Sequence, residues 1–456
     1  MELYMNNWIL HIEGLGKIKN ADIEVSPFNL YIGDNNSGKS YIMTVIYGLL
    51  NIRFYDVRYK IDTATKEYEK CCQFVESCCK LQDEDEIHLT REETEAFNIV
   101  LNQILKDNKQ EFIRTFFNKN IDIEKISISI PYKKSFVISV RNYVDDNFDE
   151  IFLFNKVFFC RDTETTFYSE LAGAGMDSYG GKTDYQYIIS YIIESMLKCQ
   201  FCNMNRSRIT YLPASRTGFM LTYKTLIASS VEDKFNLGET KKNLLTKPCS
   251  DFLVRLSKVV AEDEYSLNFQ DIIEFIEEHI LSGRIYISSN PSAEVSYIPK
   301  GEKKGLPLYV TSGVVTEITP LLLMLQDNRM GTLMMEEPEM CLHPKLQWIL
   351  ARVFIKLYHR NTPVFITTHS DIILSHINNM IHLYGKSNKE KLLNEFGYDE
   401  EDIINPAEVR VYQFTSEKGA TVIQKLSCQS YGIEAPTFQI TLREMLSQLE
   451  IIEGEE

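Results

Sequence analysis

The sequence predicts a mixed α/β fold interrupted by an inserted, mainly helical lobe. Three observations predict it. A glycine-framed loop, Gly33-Asp34-Asn35-Asn36-Ser37-Gly38-Lys39-Ser40, lies between an apolar run and a helix-like run. Far downstream, a second apolar run, Leu333-Met334-Met335, ends in the adjacent acids Glu336 and Glu337. Between the two, long stretches turn polar and charged, with sparse apolar residues at helical spacing.

The bulk composition sets the frame. A chain of 456 residues has room for one large core and a substantial accessory lobe. Hydrophobic residues at 44% and charged residues at 25% are ordinary for a globular protein. The net charge of −16 argues against a surface coated in non-specific nucleic-acid contacts, although a local basic track stays open. No apolar run has the length of a bilayer-spanning helix. Asn6, Asn7, His11 and Glu13 break any signal-peptide layout, so no membrane partner and a cytoplasmic location are expected. The ten cysteines include the doublets Cys71-Cys72 and Cys78-Cys79 and a Cys199-x-x-Cys202 spacing without a second ligand pair. They read as reduced thiols used as small hydrophobes.

Trp8–Ile12 and Ala21–Val25 read as strands joined by a turn-rich connection over Gly14–Asn20. A hairpin ahead of the next strand, Phe28–Ile32, points to a mixed sheet. That strand delivers the loop, and Tyr41–Leu50 continues it as a helix. Strand, glycine-framed loop and helix make a G-x-x-x-x-G-K-[ST] match credible as a phosphate cradle. Backbone N–H groups converge there on an anion. Gly33 and Gly38 supply backbone freedom, Lys39 reaches the terminal phosphates, and the Ser40 hydroxyl is placed to ligate magnesium. Asn35, Asn36, Ser37 and Tyr41 complete the candidate nucleotide contacts. The expected cofactors are therefore ATP and Mg2+.

Residues 1–50 are thus expected to form the first part of the nucleotide-binding unit, with a helical insertion over 51–125. In that insertion Phe97, Val100-Leu101 and Ile104-Leu105 keep a helical period, and Thr90-x-x-Glu93 opens a capped helix. Residues 126–184 read as a β-rich segment and loop, with strands at Ile126–Ile130, Ser135–Val140 and from Ile151 to Phe159. Residues 185–281 begin with a helix, Tyr185–Met196. A buried strand, Arg208–Leu212, then ends in the loop Pro213-Ala214-Ser215-Arg216, and a helical lobe follows. Arg216 at a strand end is a candidate phosphate contact, or else a clamp on a neighbouring carboxylate.

Residues 282–384 are expected to hold the rest of the nucleotide-binding unit. After a hairpin, Gly283–Ile287 with Val295–Ile298, Ser312 is placed to cap a helix whose open N–H groups begin at Gly313. Of the two acids ending the next strand, Glu336 is read as the magnesium ligand and Glu337 as the base that deprotonates the attacking water. Pro344 opens the following helix, and the strand Pro363–Ile366 leads to His369, read as a sensor of the terminal phosphate. Met380–Tyr384 is expected to be a strand. Residues 385–456 hold the strand Val409–Phe414, its partner Thr421–Lys425, and a terminal helix, Thr437–Ile452.

Taken together, Gly33–Ser40, Ser312-Gly313, Glu336-Glu337-Pro338-Glu339, Leu342-His343-Pro344 and Thr367–Asp371 resemble the motifs of ABC-type ATPases of the SMC, RecF and OLD group. Tyr211–Arg216 is similar to a segment of the OLD-like branch. The resemblance implies an ABC-type ATPase head with the helical lobe inserted into it. It also implies a homo-oligomer, in which Lys39 and Ser40 hold ATP in cis while Ser312 and Gly313 approach the partner's nucleotide in trans. Glu337, His369 and Lys39 become the catalytic set. No long coiled coil separates the halves, and no Toprim-like acidic constellation follows His369, so no nuclease domain is expected. Such ATPases resemble subunits of bacterial anti-phage systems, which implies a separate effector protein and a phage-derived trigger. A RecF- or SMC-like DNA-binding ATPase is the alternative, with DNA as partner.

Overall fold

The computed structural model describes residues 7–54, 60–82, 85–141, 157–162, 168–171, 185–199, 201, 206–235, 245–261, 268–288, 294–429, 432–433 and 447–448. The mixed α/β fold with an inserted helical lobe is the fold observed. The chain opens on an antiparallel hairpin, β1 (Trp8–Leu15) and β2 (Ile18–Val25). Both strands run deeper into the expected Gly14–Asn20 connection than a turn-rich reading allows. Leu15 pairs with Ile18, because Gly16 takes a left-handed φ of 58° and tightens the reversal to two residues. β3 (Phe28–Gly33) is buried throughout and leads into α1 (Lys39–Asn51).

The lobe follows. Helices α2 (Lys66–Lys80) and α3 (Arg91–Phe117) flank the short β4 (Glu86–His88). Thr90 and Glu93 form the reciprocal capping box at the start of α3. β5 (Lys125–Ser129) returns to pair with β1, whereas β6 (Phe136–Arg141), β7 (Val157–Asp162) and β8 (Tyr168–Leu171) join β4 in a separate antiparallel sheet. Helix α4 (Tyr185–Lys198) precedes β9 (Arg208–Leu212), and α5 (Arg216–Phe235), α6 (Lys247–Ala261) and α7 (Gln270–Ile276) come next. A small sheet of β10 (Gly283–Ile287), β11 (Val295–Pro299) and β12 (Leu306–Pro307) leads to α8 (Gly313–Leu325).

From there strands and helices alternate: β13 (Met330–Glu336), α9 (Pro344–His359), β14 (Val364–Thr368), α10 (Asp371–Tyr384) and α11 (Lys389–Phe396). The hairpin β15 (Val409–Glu417) and β16 (Ala420–Leu426) follows, then a two-stranded β17 (Cys428–Gln429) and β18 (Gly432–Ile433). Met380–Tyr384 is the last turn of α10 and not a strand. The Ser370 hydroxyl accepts from Ile373 N at 3.1 Å and starts the helix, and no breaker intervenes before Gly385. Ile373, Ile377, Met380 and Ile381 bury one helical face. The Ala172–Gly181 loop, the Ile151–Phe154 stretch and nearly all of the expected terminal helix lie outside the described residues.

Nine strands form one sheet in the order β5-β1-β2-β16-β15-β3-β14-β13-β9. β15, β3, β14, β13 and β9 run parallel, and the hairpin strands supply the antiparallel wing. Side-chain alternation sends Leu30, Ile32, Leu333, Met335, Val364 and Ile366 into a core shared with α6 to α10. Tyr31, Met334, Phe365, Tyr412 and Phe414 face the other way, into a core with α1, α3 and α4. Cys71 and Cys78 are buried in that second core, and burial pushes the Cys71 thiol up to about 12. Among the described residues, no helix is long and apolar enough to cross a membrane.

Candidate functional site

The site is built where parallel strands end together. Register aligns Thr368 with Ile32, Glu336 with Thr367, and Met335 with Leu212. The loops that leave β3, β9, β13 and β14 therefore open on one edge of the sheet, where ligand contacts gather in open α/β folds. The loop after β3 leaves with Gly33 at φ 119°, and a Cβ there would lie 2.1 Å from the Phe414 carbonyl. Asp34 N donates to the same carbonyl at 2.9 Å, and Asp34 Oδ2 accepts from Ser416 N at 2.8 Å. The loop is thereby pinned to β15. Asn36 and Gly38 take left-handed angles, φ 56° and 90°. Asn35, Asn36, Ser40 and Tyr41 are exposed, whereas Ser37 is buried and donates to the Asp34 carbonyl at 2.6 Å. The Tyr41 ring packs on Phe117 of the lobe, with centroids 5.0 Å apart.

Lys39 is buried, and its ammonium donates to the carbonyls of Gly33 at 3.1 Å and Asp34 at 2.6 Å. Burial pulls its pKa down to about 8. Four carboxylates oppose that fall, Glu337 most strongly, then Asp34, Glu339 and Glu336. The loop lysine and the acids at the end of β13 thus share one electrostatic environment.

Glu336 is buried, and its Oε2 accepts weakly from Ala214 N at 3.4 Å. Burial raises the Tyr211 pKa, and this carboxylate adds to the rise. Its Oε1 is buried with no hydrogen-bond partner. A buried carboxylate oxygen left unpaired is costly, and it suits a cation ligand. Glu337 departs from the strand at φ 41°, an uncommon conformation for a non-glycine residue, and its side chain is 37% exposed. His369 Nε2 lies 3.8 Å from Glu337 Oε1. Burial, assisted by the nearby Lys39 charge, lowers the His369 pKa, so the ring is neutral at neutral pH.

The structure turns Arg216 inward, onto backbone carbonyls and a carboxylate. Its guanidinium is fully buried, 2.8 Å from Glu317 Oε1, and donates to the carbonyls of Pro213 at 3.0 Å, Glu336 at 2.5 Å and Glu337 at 3.1 Å. Of the two readings open at the sequence level, the carboxylate clamp is the one that fits this burial. Burial lowers the Arg216 pKa, with Glu317 the chief opposing charge. Ser312 occupies the N-cap position of α8, but its side chain makes no capping hydrogen bond there. Its backbone is extended and its hydroxyl is exposed, as is Gly313.

Three further residues belong to the site. Glu339 accepts from Thr368 Oγ1 at 2.8 Å and from His369 N at 2.6 Å, fixing the backbone that carries the histidine. Glu317 is the lone charge of the otherwise apolar α8, a signal present in the sequence. Tyr211 of β9 is buried beside Glu336, whose charge adds to the burial that raises the tyrosine's pKa.

Residues 9–374 match the family described as an AAA ATPase domain. No curated protein matches the sequence. Solved structures similar to this chain include the Smc head bound to the C-winged helix domain of ScpA, with 12% identity, 92% of this chain and 97% of that chain covered, and a TM-score of 0.37. An Smc head domain with an extended coiled coil, bound to the C-terminal domain of ScpA and derived from Pyrococcus furiosus, has 11% identity, 98% coverage of both chains and a TM-score of 0.36. The SMC head domain from Thermotoga maritima has 11% identity, 92% and 98% coverage and a TM-score of 0.32.

Proposed function

This chain belongs to the AAA ATPase domain family, and from that premise we propose that it hydrolyses ATP with magnesium as a pair of copies facing head to head. The observation that carries the reading is the convergence of Lys39 and Glu337. They come from distant parts of the chain, yet the parallel register of β3, β14 and β13 brings both to one edge of the sheet, where Glu337 leads the carboxylates that hold the Lys39 pKa up against burial. The phosphate loop would bind the triphosphate through its backbone N–H groups, with Lys39 turning from its own loop carbonyls toward the terminal phosphates. Ser40 and Glu336 would hold magnesium, and the unpaired Oε1 of Glu336 supports that role. The ion would neutralise charge on the phosphate oxygens.

Glu337 takes the proton of the attacking water at Oε1 or Oε2. The neutral His369 stands 3.8 Å from that carboxylate and reads the terminal phosphate. Because one chain carries one copy of each motif, Ser312 and Gly313 serve the partner's nucleotide, and ATP closes the pair.

The test is a Glu337→Gln variant. Turnover should fall roughly 10²–10⁴-fold, the range a positioned general base supplies. ATP should be retained, and native mass measurement should give a stable dimer with ATP that is lost without it. A variant that turns over ATP like wild type, or that stays monomeric with ATP, contradicts the reading.

What the cycle drives is the finer question. One reading is DNA binding, as in a RecF- or SMC-like ATPase. It requires ATP-dependent DNA binding with steep salt dependence. Control of a separate toxic effector under a phage-derived trigger, as the OLD-like motifs suggest, requires a co-purifying partner whose toxicity the trigger releases.

A further inference from the structure

Helix α8 is apolar along its length and buried from Val315 to Leu325, with one charge, Glu317. That carboxylate does two things. It accepts from Thr217 N at 2.9 Å and from the Thr217 hydroxyl at 2.7 Å, closing the start of α5, where Arg216 N also donates to it at 3.3 Å. It also pairs with the Arg216 guanidinium at 2.8 Å, both side chains being excluded from solvent. The guanidinium spends its remaining donors on backbone, at Glu317, Pro213, Glu336 and Glu337. The last two carbonyls belong to the residues that end β13. Glu337 is the one held at positive φ, a conformation that persists only where its surroundings over-determine it.

Stability alone does not account for this arrangement. Replacing a buried ion pair by neutral groups of similar volume is often harmless to a fold, because desolvation offsets the attraction. Here the pair links two particular pieces of backbone. One is the helix that begins at Ser312-Gly313. The other is the strand end that carries the carboxylates.

We propose that Arg216 and Glu317 are a positioning pair that fixes the Glu337 backbone relative to helix α8, so that hydrolysis depends on how a partner's nucleotide engages the start of that helix. This rests on the head-to-head reading above and adds to it the internal route between the two half-sites. Movement of α8 along its axis carries Glu317, Glu317 carries the guanidinium, and the guanidinium carries the Glu336 and Glu337 carbonyls. Neither residue touches the nucleotide, and both act through Glu337.

The decisive variant is Arg216→Met combined with Glu317→Gln. Methionine refills the guanidinium's volume, and glutamine still accepts from the Thr217 N–H and hydroxyl. The expected result is a folded protein that binds ATP with an affinity within about twofold of wild type and still pairs on adding ATP, but whose kcat is roughly 100-fold lower, as for a misplaced reacting group. A kcat within about twofold of wild type, with pairing intact, overturns the proposal. Should the double variant not fold, Arg216→Lys decides. It keeps the buried charge but lacks the planar fork that spans both carbonyls, so kcat should fall while ATP affinity holds, and unchanged kcat overturns the proposal. Wild-type protein serves as the reference for the reading beneath. If it neither turns over ATP nor pairs, the proposed function itself fails. If it does both and the variant does too, only the positioning role fails.

Discussion

Lys39 loses its proton within reach of ordinary buffers, which makes the phosphate-loop reading measurable by pH alone. Its ammonium is buried on the Gly33 and Asp34 carbonyls, and burial lowers its pKa to about 8. A triphosphate placed against it adds negative charge and raises that value, so the bound form keeps its proton through the window where the free form loses it. Proton linkage then fixes the sign: binding takes up a proton above pH 8, and affinity falls as pH rises. If the bound lysine stays charged, the apparent Kd scales as 1 plus ten to the power of pH minus pKa, which between pH 7 and 9 amounts to about tenfold. The phosphate's own last ionisation is largely complete below this window.

The assay is titration of a fluorescent ATP analogue with magnesium at fixed ionic strength, since surface charge effects vary with salt. Lys39→Arg supplies the reference, because a guanidinium does not titrate there and its profile should be flat. Glu337→Gln removes the strongest charge supporting the ammonium, so the midpoint should move to lower pH. An affinity that stays level from pH 7 to 9, or that falls equally in the arginine variant, refutes the reasoning. An unmoved midpoint in Glu337→Gln would detach the two ends of the site from each other.

Other expectations follow from single contacts. Glu339→Ala strips the acceptor from Thr368 Oγ1 and His369 N, charge-assisted bonds of about 1.5–3 kcal/mol each. Its kcat should fall while ATP affinity changes little, and an unchanged kcat in steady-state assays would remove Glu339 from the site. Gly33→Ala puts a methyl group 2.1 Å from a backbone carbonyl at φ 119°, so equilibrium dialysis should find ATP binding abolished. Thr90→Ala breaks the capping box of α3 and should cost about 1 kcal/mol in denaturant unfolding, with turnover per folded molecule unchanged.

The parts of this molecule legible in sequence are those whose physics is local. Strand, glycine loop and helix occupy consecutive residues, so their spacing alone located the phosphate loop. The capping box at Thr90 and Glu93 is local in the same sense. What stayed hidden depends on partners far away in the chain. The burial of Arg216 needs Glu317 and the carbonyls of Glu336 and Glu337, none of which neighbours it in sequence. Glu339 gains its meaning from Thr368 and His369 one strand away. Met380–Tyr384 read as a strand because a short apolar run carries no clear period of its own, and only the cap at Ser370 decides for helix.

The division of labour between the two adjacent acids also follows from packing. Along β13, Leu333 and Met335 enter one core and Met334 the other, while β14 on its flank sends Val364 and Ile366 to the first and Phe365 to the second. Pairing Glu336 with Thr367 satisfies both cores at once. A slip by one residue would reverse every one of these side chains, so the register is strongly specified. That register stops the strand with Glu336 still inside, its Oε1 buried and unpaired, and sends Glu337 out of the ladder at positive φ toward His369. Neither acid could exchange roles with the other without unpacking the sheet. Swapping which of them carries an amide should therefore give different phenotypes: Glu337→Gln retains nucleotide and magnesium, whereas Glu336→Gln loses the dependence of nucleotide affinity on magnesium. If titrating ATP with and without magnesium gave the same result for both variants, the two carboxylates would be equivalent and the register argument would be wrong.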